Sequence, residues 1–471
     1  MCPPVLAKAG PATPSKSSPS KAKTAQAKRI EFQPREWPMP TRQKRDRSPD
    51  LNQMREQDQA AHRWYRFVLS YPPHLVQDYL HKFGIGEDQQ VLDPFCGTGT
   101  TVVECQKQGI PAVGIEANPM AHFASSTKLD WTPPPENLLQ SAHQIAEQTE
   151  IALQSEPEPL RTLPAESQKL ILANSISPLP LHKTLLLLEQ IELSGSPYRS
   201  HLRLALAKAV IRRIANLHFG PEVGVSNPKA DAPVLAAWLD QVKTIATDLN
   251  ELQRLPHPPA RMYPNDARQI LPILAPQTID AVITSPPYPN EKDYTRTTRL
   301  ESVLLGFIRN KVELRNLKEN LIRSNTRNVF KADRDDLWIS QHAEIQNLAR
   351  TIEERRISLG KTSGFERLYH RAVKLYFGGM AKHLADLRPS LRPGAQLAYV
   401  VGDQKSYLQV MIRTGELLAD IAQGLGYEPI GIDLFRTRLA TATKEQMREE
   451  VVLLRWPGKM PHYPYPFSPE F

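Results

Sequence analysis

Q-V-L-D-P-F-C-G-T-G-T-T, residues 90–101, is the stretch whose reading decides the fold. Gln90-Val91-Leu92 reads as a short buried strand, and Thr101 to Lys107 continue as a helix. The loop between them holds Asp93, Gly97 and Gly99. Glycine there lets the backbone approach a ligand closely. Pro111-Ala112-Val113-Gly114-Ile115-Glu116 follows as a second strand that ends in an acid. Strand, loop, helix and strand in this order open a parallel α/β sheet.

Three ligands compete for such a loop. A phosphate cradle needs Gly-Lys-Ser/Thr, and no lysine follows Gly99. A dinucleotide fingerprint wants glycine where Val102 stands. S-adenosylmethionine has no phosphate but carries a sulfonium charge and an amino-acid end. An acid at the strand end suits it, and Asp93 fills that place. Glu116, one strand over, can accept both ribose hydroxyls.

Outward from this core, order begins near Trp64, and Leu75 to Phe83 reads as a short helix. From about 135 to 255 the pattern is helical, with long stretches at Lys183–Ile191, His201–Leu217 and Pro233–Leu249. The α/β pattern resumes at Thr278 to Ile283. A polar, helix-prone insertion runs from about 291 to 365. A helix (Leu368–Leu387), a strand (Ala395–Val401) and a helix (Thr414–Leu425) follow. Strands near Glu428–Leu434 and Glu450–Trp456 close the chain and suit an antiparallel hairpin at a sheet edge.

The strand at Val282-Ile283 runs straight into T-S-P-P-Y-P-N, residues 284–290. Proline fixes φ and has no N–H to donate, so this is a rigid turn at a strand end. It can hold an aromatic ring and two backbone carbonyls in fixed places.

Together these residues resemble the amino-methylating DNA methyltransferases that use S-adenosylmethionine. That family's first motif is D-x-F-x-G-x-G-T, and Asp93, Phe95, Gly97, Gly99 and Thr100 match it. Its catalytic motif is [D/N/S]-P-P-[Y/F], matched by Ser285, Pro286, Pro287 and Tyr288. Tyr71-Pro72-Pro73 looks like the segment that packs over the methionine end, and Asn265-Asp266-Ala267 like a third motif that puts Asp266 near the adenine amine. The resemblance covers about 65–132 and 262–456. It implies a Rossmann-like class I methyltransferase sheet, mostly parallel, with an antiparallel strand near the C-terminal edge and a helical insertion. It also implies S-adenosylmethionine as cofactor, double-stranded DNA as substrate, and a cognate restriction endonuclease acting on the same site.

The resulting division is a disordered basic tail (1–55), a first methyltransferase part with the cofactor loop (60–134) and a helical insertion (135–255). The catalytic strand and loop (256–290), a polar basic insertion (291–365) and a C-terminal methyltransferase part (366–460) complete it.

The catalytic motif has a physical reading. An exocyclic base amine is a poor nucleophile because its lone pair is delocalised into the ring. The Ser285 side chain and Pro286 carbonyl would accept its two hydrogens and expose that lone pair. Tyr288 would stack on a base that has left the duplex. Prolines hold the geometry in advance, and the methyl group transfers in line without a covalent enzyme intermediate. In the resembled family, serine at the first position goes mostly with cytosine N4 and aspartate mostly with adenine N6. Cytosine N4 is the expectation, with adenine N6 and an RNA base amine as alternatives. Methylation at cytosine C5 needs a Pro-Cys nucleophile, and Cys96 follows Phe95 instead.

The chain has 471 residues and a net charge of +9, which favours a polyanionic partner. From 292 to 331, ten basic residues face four acids. Arg296, Arg299, Arg323 and Arg327 are the expected DNA contacts, because this segment leaves the sheet at the pocket mouth. Three cysteines without a C-x-x-C pair indicate a reducing, cytoplasmic setting. No run approaches a membrane span. His62, His74, His370 and His383 lack metal-ligand spacing, so no metal is expected.

Overall fold

In the computed structural model, the described residues are 49–459 apart from 68, 69, 156, 157, 220–222, 291, 406 and 440–445. The expected basic tail lies outside them up to residue 48, and Pro49–Asn52 forms a 3-10 turn.

Seven strands make one sheet: β1 (Val91–Asp93), β2 (Ala112–Ile115), β3 (Ala260–Tyr263), β4 (Ile279–Thr284), β5 (Leu391–Gly402), β6 (Glu428–Leu439) and β7 (Gln446–Arg455). Their spatial order is β3-β2-β1-β4-β5-β7-β6. The first five are parallel, while β7 runs antiparallel between β5 and β6. This is the Rossmann-like sheet expected from the sequence, with the closing hairpin at its edge. The chain steps outward from β1 through β2 to β3, then returns to the other side of β1 for β4 and β5. Strand order reverses between β1 and β4, and ligands of open α/β sheets bind at the carboxyl ends of the strands at such a reversal. Asp93 and Ser285 stand there.

The strands follow from their residues. Val91, Leu92, Ala281, Val282 and Ile283 are fully buried, as parallel strands covered on both faces require. Strand β3 was not expected. Its sequence Ala-Arg-Met-Tyr is only partly buried at the sheet edge, so it lacks the apolar run that marks a central strand.

Helix α1 (Pro73–Phe83) starts with proline in its first turn and ends at Gly84 in the left-handed region, φ +64°. Helix α2 (Thr100–Lys107) follows the glycine loop, and α3 (Pro119–Leu129) is capped by the Asn118 side chain accepting from Met120 N.

The helical insertion contains α4 (Pro135–Ser155), α5 (Pro178–Leu193), α6 (Arg199–Ala209) and α7 (Val234–Leu252). It also carries a small antiparallel ribbon, Leu217–Phe219 with Val223–Val225, that the helical pattern had absorbed. Its hydrophobic core is not its own. One cluster joins Leu138, Leu187, Leu206 and Trp238 to Trp64 and Tyr65, to Met120 and Ala124 of α3, and to Leu300–Leu305 beyond the catalytic loop. The second insertion folds into short helical pieces, α8 (Lys311–Glu319) and α9 (Ala343–Ser358). Then come α10 (Tyr369–Leu387) and α11 (Thr414–Gly424). Among the described residues no helix is long and apolar enough to cross a membrane.

Candidate active site

Parallel register brings the carboxyl ends of β1, β2 and β4 to one edge. Asp93 pairs with Gly114, and Leu92 with Val282. Three of the sequence-singled segments therefore meet at Asp93. Thr284 Oγ1 donates to Asp93 Oδ1 at 2.6 Å, Tyr71 Oη to Oδ2 at 3.0 Å, and Phe95 N to Oδ1 at 3.2 Å. The carboxylate is fully buried. It ties the glycine loop, the segment before α1 and the catalytic strand into one piece. Thr101 adds a second tie, donating from Oγ1 to the Ile283 carbonyl at 3.0 Å.

Gly97 and Gly99 both have positive φ, +53° and +89°. A side chain at Gly99 would bring its Cβ within 3.0 Å of Ser125 Cβ, so the loop can turn onto α2 only with glycine there. Gly97 N donates to Glu116 Oε2 at 2.7 Å, and Asn118 N to Glu116 Oε1 at 2.7 Å. Each Glu116 oxygen keeps a lone pair for a ligand hydroxyl. Burial raises Asp93 to about 6 and Glu116 to about 7, against the hydrogen bonds that favour their charged forms. Neither carboxylate has a cation partner among the described residues.

Phe95 is half-buried, with its ring edge-on to His383 at 4.8 Å between centroids. His383 carries no motif or metal-ligand spacing in the sequence. In the fold it is a buried strut. The Ala267 carbonyl can only accept, so Nδ1 donates to it at 2.8 Å. Nε2 then accepts from Tyr399 Oη at 2.7 Å. Burial lowers the ring to about 4 and keeps it neutral. His383 thus fixes the loop of Asp266 beside Phe95. The Asp266 carboxylate itself is taken by Arg268, with Nε 3.0 Å from both oxygens and Nη2 2.6 Å from Oδ2.

At the end of β4, Pro286 is buried, while Ser285 and Tyr288 are half-buried. Ser285 Oγ donates to the Val400 carbonyl at 3.1 Å. A hydroxyl has one proton, so toward any other group this oxygen can only accept. Tyr288 N donates to Tyr294 Oη at 3.3 Å, which ties the turn to the next helix. The Tyr288 ring packs on Gly402 at the end of β5, where a Cβ would stand 3.2 Å from Cε2. Neither Val400 nor Gly402 carries a sequence signal for this task.

A sequence profile described as DNA methylase matches residues 8–125. Type II methyltransferase M.BsoBI of Geobacillus stearothermophilus is 27% identical over 439 residues, 84% of this chain and 84% of that protein. Type II methyltransferase M.AvaI of Nostoc sp. is 24% identical over 433 residues, 84% and 86% of the two chains. These matches support a DNA amino-methyltransferase of the N6/N4 DNA methylase family.

The four arginines expected to meet DNA divide in the structure. Arg327 is exposed, with its guanidinium 5.6 Å from the centre of the exposed Phe365 ring. Arg296 is half-buried. Arg299 is half-buried and donates to Thr295 Oγ1 at 2.6 Å and the Thr295 carbonyl at 3.2 Å. Arg323 corrects the expectation. It is 4% exposed, ion-paired to Asp333 at 2.8 Å, and donates to the carbonyls of Lys318 and Glu319. A guanidinium with these partners holds its own loop together and has no surface for a phosphate. Composition counted it as a free cation because Asp333, ten residues on, lies outside the charge run. Cys96 is buried against Met262, Sγ to Sδ 3.7 Å, as a packing residue.

Proposed function

We propose that this chain methylates cytosine N4 in double-stranded DNA, using S-adenosylmethionine, as the modification half of a restriction–modification pair acting in the cytoplasm. The observation that carries the reading is the Ser285 hydroxyl. Its proton is committed to Val400, so it faces a substrate amine as an acceptor only. With the Pro286 carbonyl it accepts the two amine hydrogens and frees the nitrogen lone pair. Tyr288, backed by Gly402, stacks on the flipped base.

The residues present fit the cofactor. Two buried carboxylates without a cation partner suit a sulfonium ligand, and Glu116 keeps acceptors for the ribose. Gly97, Gly99 and Thr100 form the close-approach turn, Tyr71 and Phe95 flank it, and Asp266 sits on the loop assigned to the adenine. The cofactor supplies an electrophilic methyl group. The protein aligns the amine with it and needs no covalent step. Arg296, Arg299 and Arg327 are the DNA contacts kept in this reading. The segments 135–255 and 291–365 are the regions that choose the sequence. The relatives' designation as type II methyltransferases supports the pairing with an endonuclease of the same site.

The experiment is incubation with labelled S-adenosylmethionine and duplex DNA, followed by mass spectrometry of the nucleosides. N4-methylcytosine is expected. N6-methyladenine alone would overturn the base assignment and leave the amine chemistry standing. Label found only with RNA would overturn the DNA substrate.

A further inference from the structure

Beside the catalytic turn, β5, β7 and β6 lie next to one another. Gly402 pairs with Glu449 across β5 and β7, and Glu449 pairs with Arg436 across β7 and β6. A Cβ at Gly402 would lie 3.2 Å from Tyr288 Cε2 and 3.3 Å from Glu449 Cγ. Glu449 and the Tyr288 ring are therefore neighbours on one face of that glycine. Two arginines hold Glu449: Arg436 through Nε to Oε2, and Arg438 through Nε to Oε1 at 3.3 Å. Arg438 Nη2 also donates to the Asp403 carbonyl at 3.0 Å, directly after β5.

These contacts fix the Arg438 guanidinium by its inner edge. A guanidinium has five N–H groups, and the contacts to Glu449 and Asp403 engage two of them. The outer fork is left with no partner among the described residues, and the side chain is 33% exposed. Such a planar fork reads two adjacent acceptors. Beside the amine, cytosine presents N3 and O2, which are two adjacent acceptors on the same edge. Adenine presents N1 and then a C–H.

We infer that Arg438 reads the target cytosine, its outer fork donating to N3 and O2 while Ser285 and Pro286 hold the amine. This rests on the cytosine assignment above. Glu449 and Asp403 act as the brace. The device explains how one pocket for an exocyclic amine can prefer one base, because an unmet fork penalises the base that lacks the second acceptor.

The test crosses a protein change with a base change. Wild type, Arg438→Ala and Arg438→Lys are assayed in single turnover on duplexes carrying cytosine or 3-deazacytosine at the target, with the methylated nucleoside identified. In wild type, removing N3 is expected to slow methylation about ten- to hundredfold. Both variants should be slow on cytosine and nearly indifferent to loss of N3, with lysine failing to rescue because it keeps the charge and loses the fork. Multiplying losses in the two changes would overturn the inference and make Arg438 a backbone contact, as would full rescue by lysine. A wild type indifferent to N3 also overturns it, without relying on any variant folding. Multiplying losses with N4-methylcytosine as product leave the cytosine assignment intact, whereas N6-methyladenine removes both.

Discussion

Glu116 and Glu449 both stand beside the candidate reacting centre, one on the glycine-loop side and one on the hairpin side. Their surroundings are opposite. Glu116 has backbone N–H partners and no cation, and burial raises it to about 7. Glu449 lies between Arg436 and Arg438. An acid left without a counter-ion awaits a cationic ligand. An acid already paired orients the arginines around it. In the proposed function, the same residue type serves binding on one side of the sheet's reversal and positioning on the other.

The largest effect should come where the two sides are joined. Asp93→Ala leaves Thr284, Tyr71 and Phe95 N without their acceptor in a buried site. Stability should fall by about 3 kcal/mol or more in urea unfolding. A loss below about 1 kcal/mol would mean that the catalytic strand and the cofactor loop are held together by something else.

Next in size is Tyr288→Ala. Base stacking is worth about 1–3 kcal/mol, so turnover should drop roughly ten- to hundredfold. Cofactor affinity, measured by calorimetry, should stay put. A matching loss of cofactor affinity would erase the division between the two sides.

The contrast between the glutamates predicts a pH response. Below about 7 Glu116 carries a proton and loses its attraction for a sulfonium. Affinity for S-adenosylmethionine should therefore weaken about tenfold between pH 8 and pH 6. Glu116→Gln should bind weakly and keep only the shallower slope left by Asp93, which burial raises to about 6; an unchanged slope would assign the titration elsewhere. The sign for folding is the reverse. With its folded value raised above 4.5, Glu116 contributes stability that is full below pH 4.5 and is lost as pH rises through about 7.

The smallest effect separates two arginines of one charge run. Arg327→Ala should lower the slope of log affinity against log salt by about 0.9. Arg323→Ala should leave the slope alone and lower the melting temperature, because its partners are Asp333 and main-chain carbonyls. Equal slopes for wild type and Arg327→Ala would take Arg327 off the DNA.

The parts legible in sequence were those whose signal is local. Residues 90–101 are strand, turn and helix in one stretch, and Ser285 to Tyr288 declare a rigid strand end by proline alone. Strand β3 escaped notice because a four-residue edge strand needs no apolar run. The ribbon at 217–225 escaped because three-residue strands vanish inside a helical pattern. Val400, Gly402, His383 and Arg438 act through partners 11 to 116 positions away in the chain. A charge count likewise cannot tell exposed Arg327 from buried Arg323.

The helical insertion shares one core with Trp64, Tyr65, α3 and Leu300–Leu305. For protein engineering this sets where a graft can be cut. Exchanging residues 135–255 alone for those of a relative would bare two aromatic rings on one side and a leucine-rich helix on the other. A chimera meant to acquire a new target sequence has to carry the 60–65 segment, the buried face of α3 and Leu300–Leu305 along with the insertion. With the insertion in its proposed role, specificity is inherited as a block, and single-segment shuffling should yield aggregates rather than new enzymes.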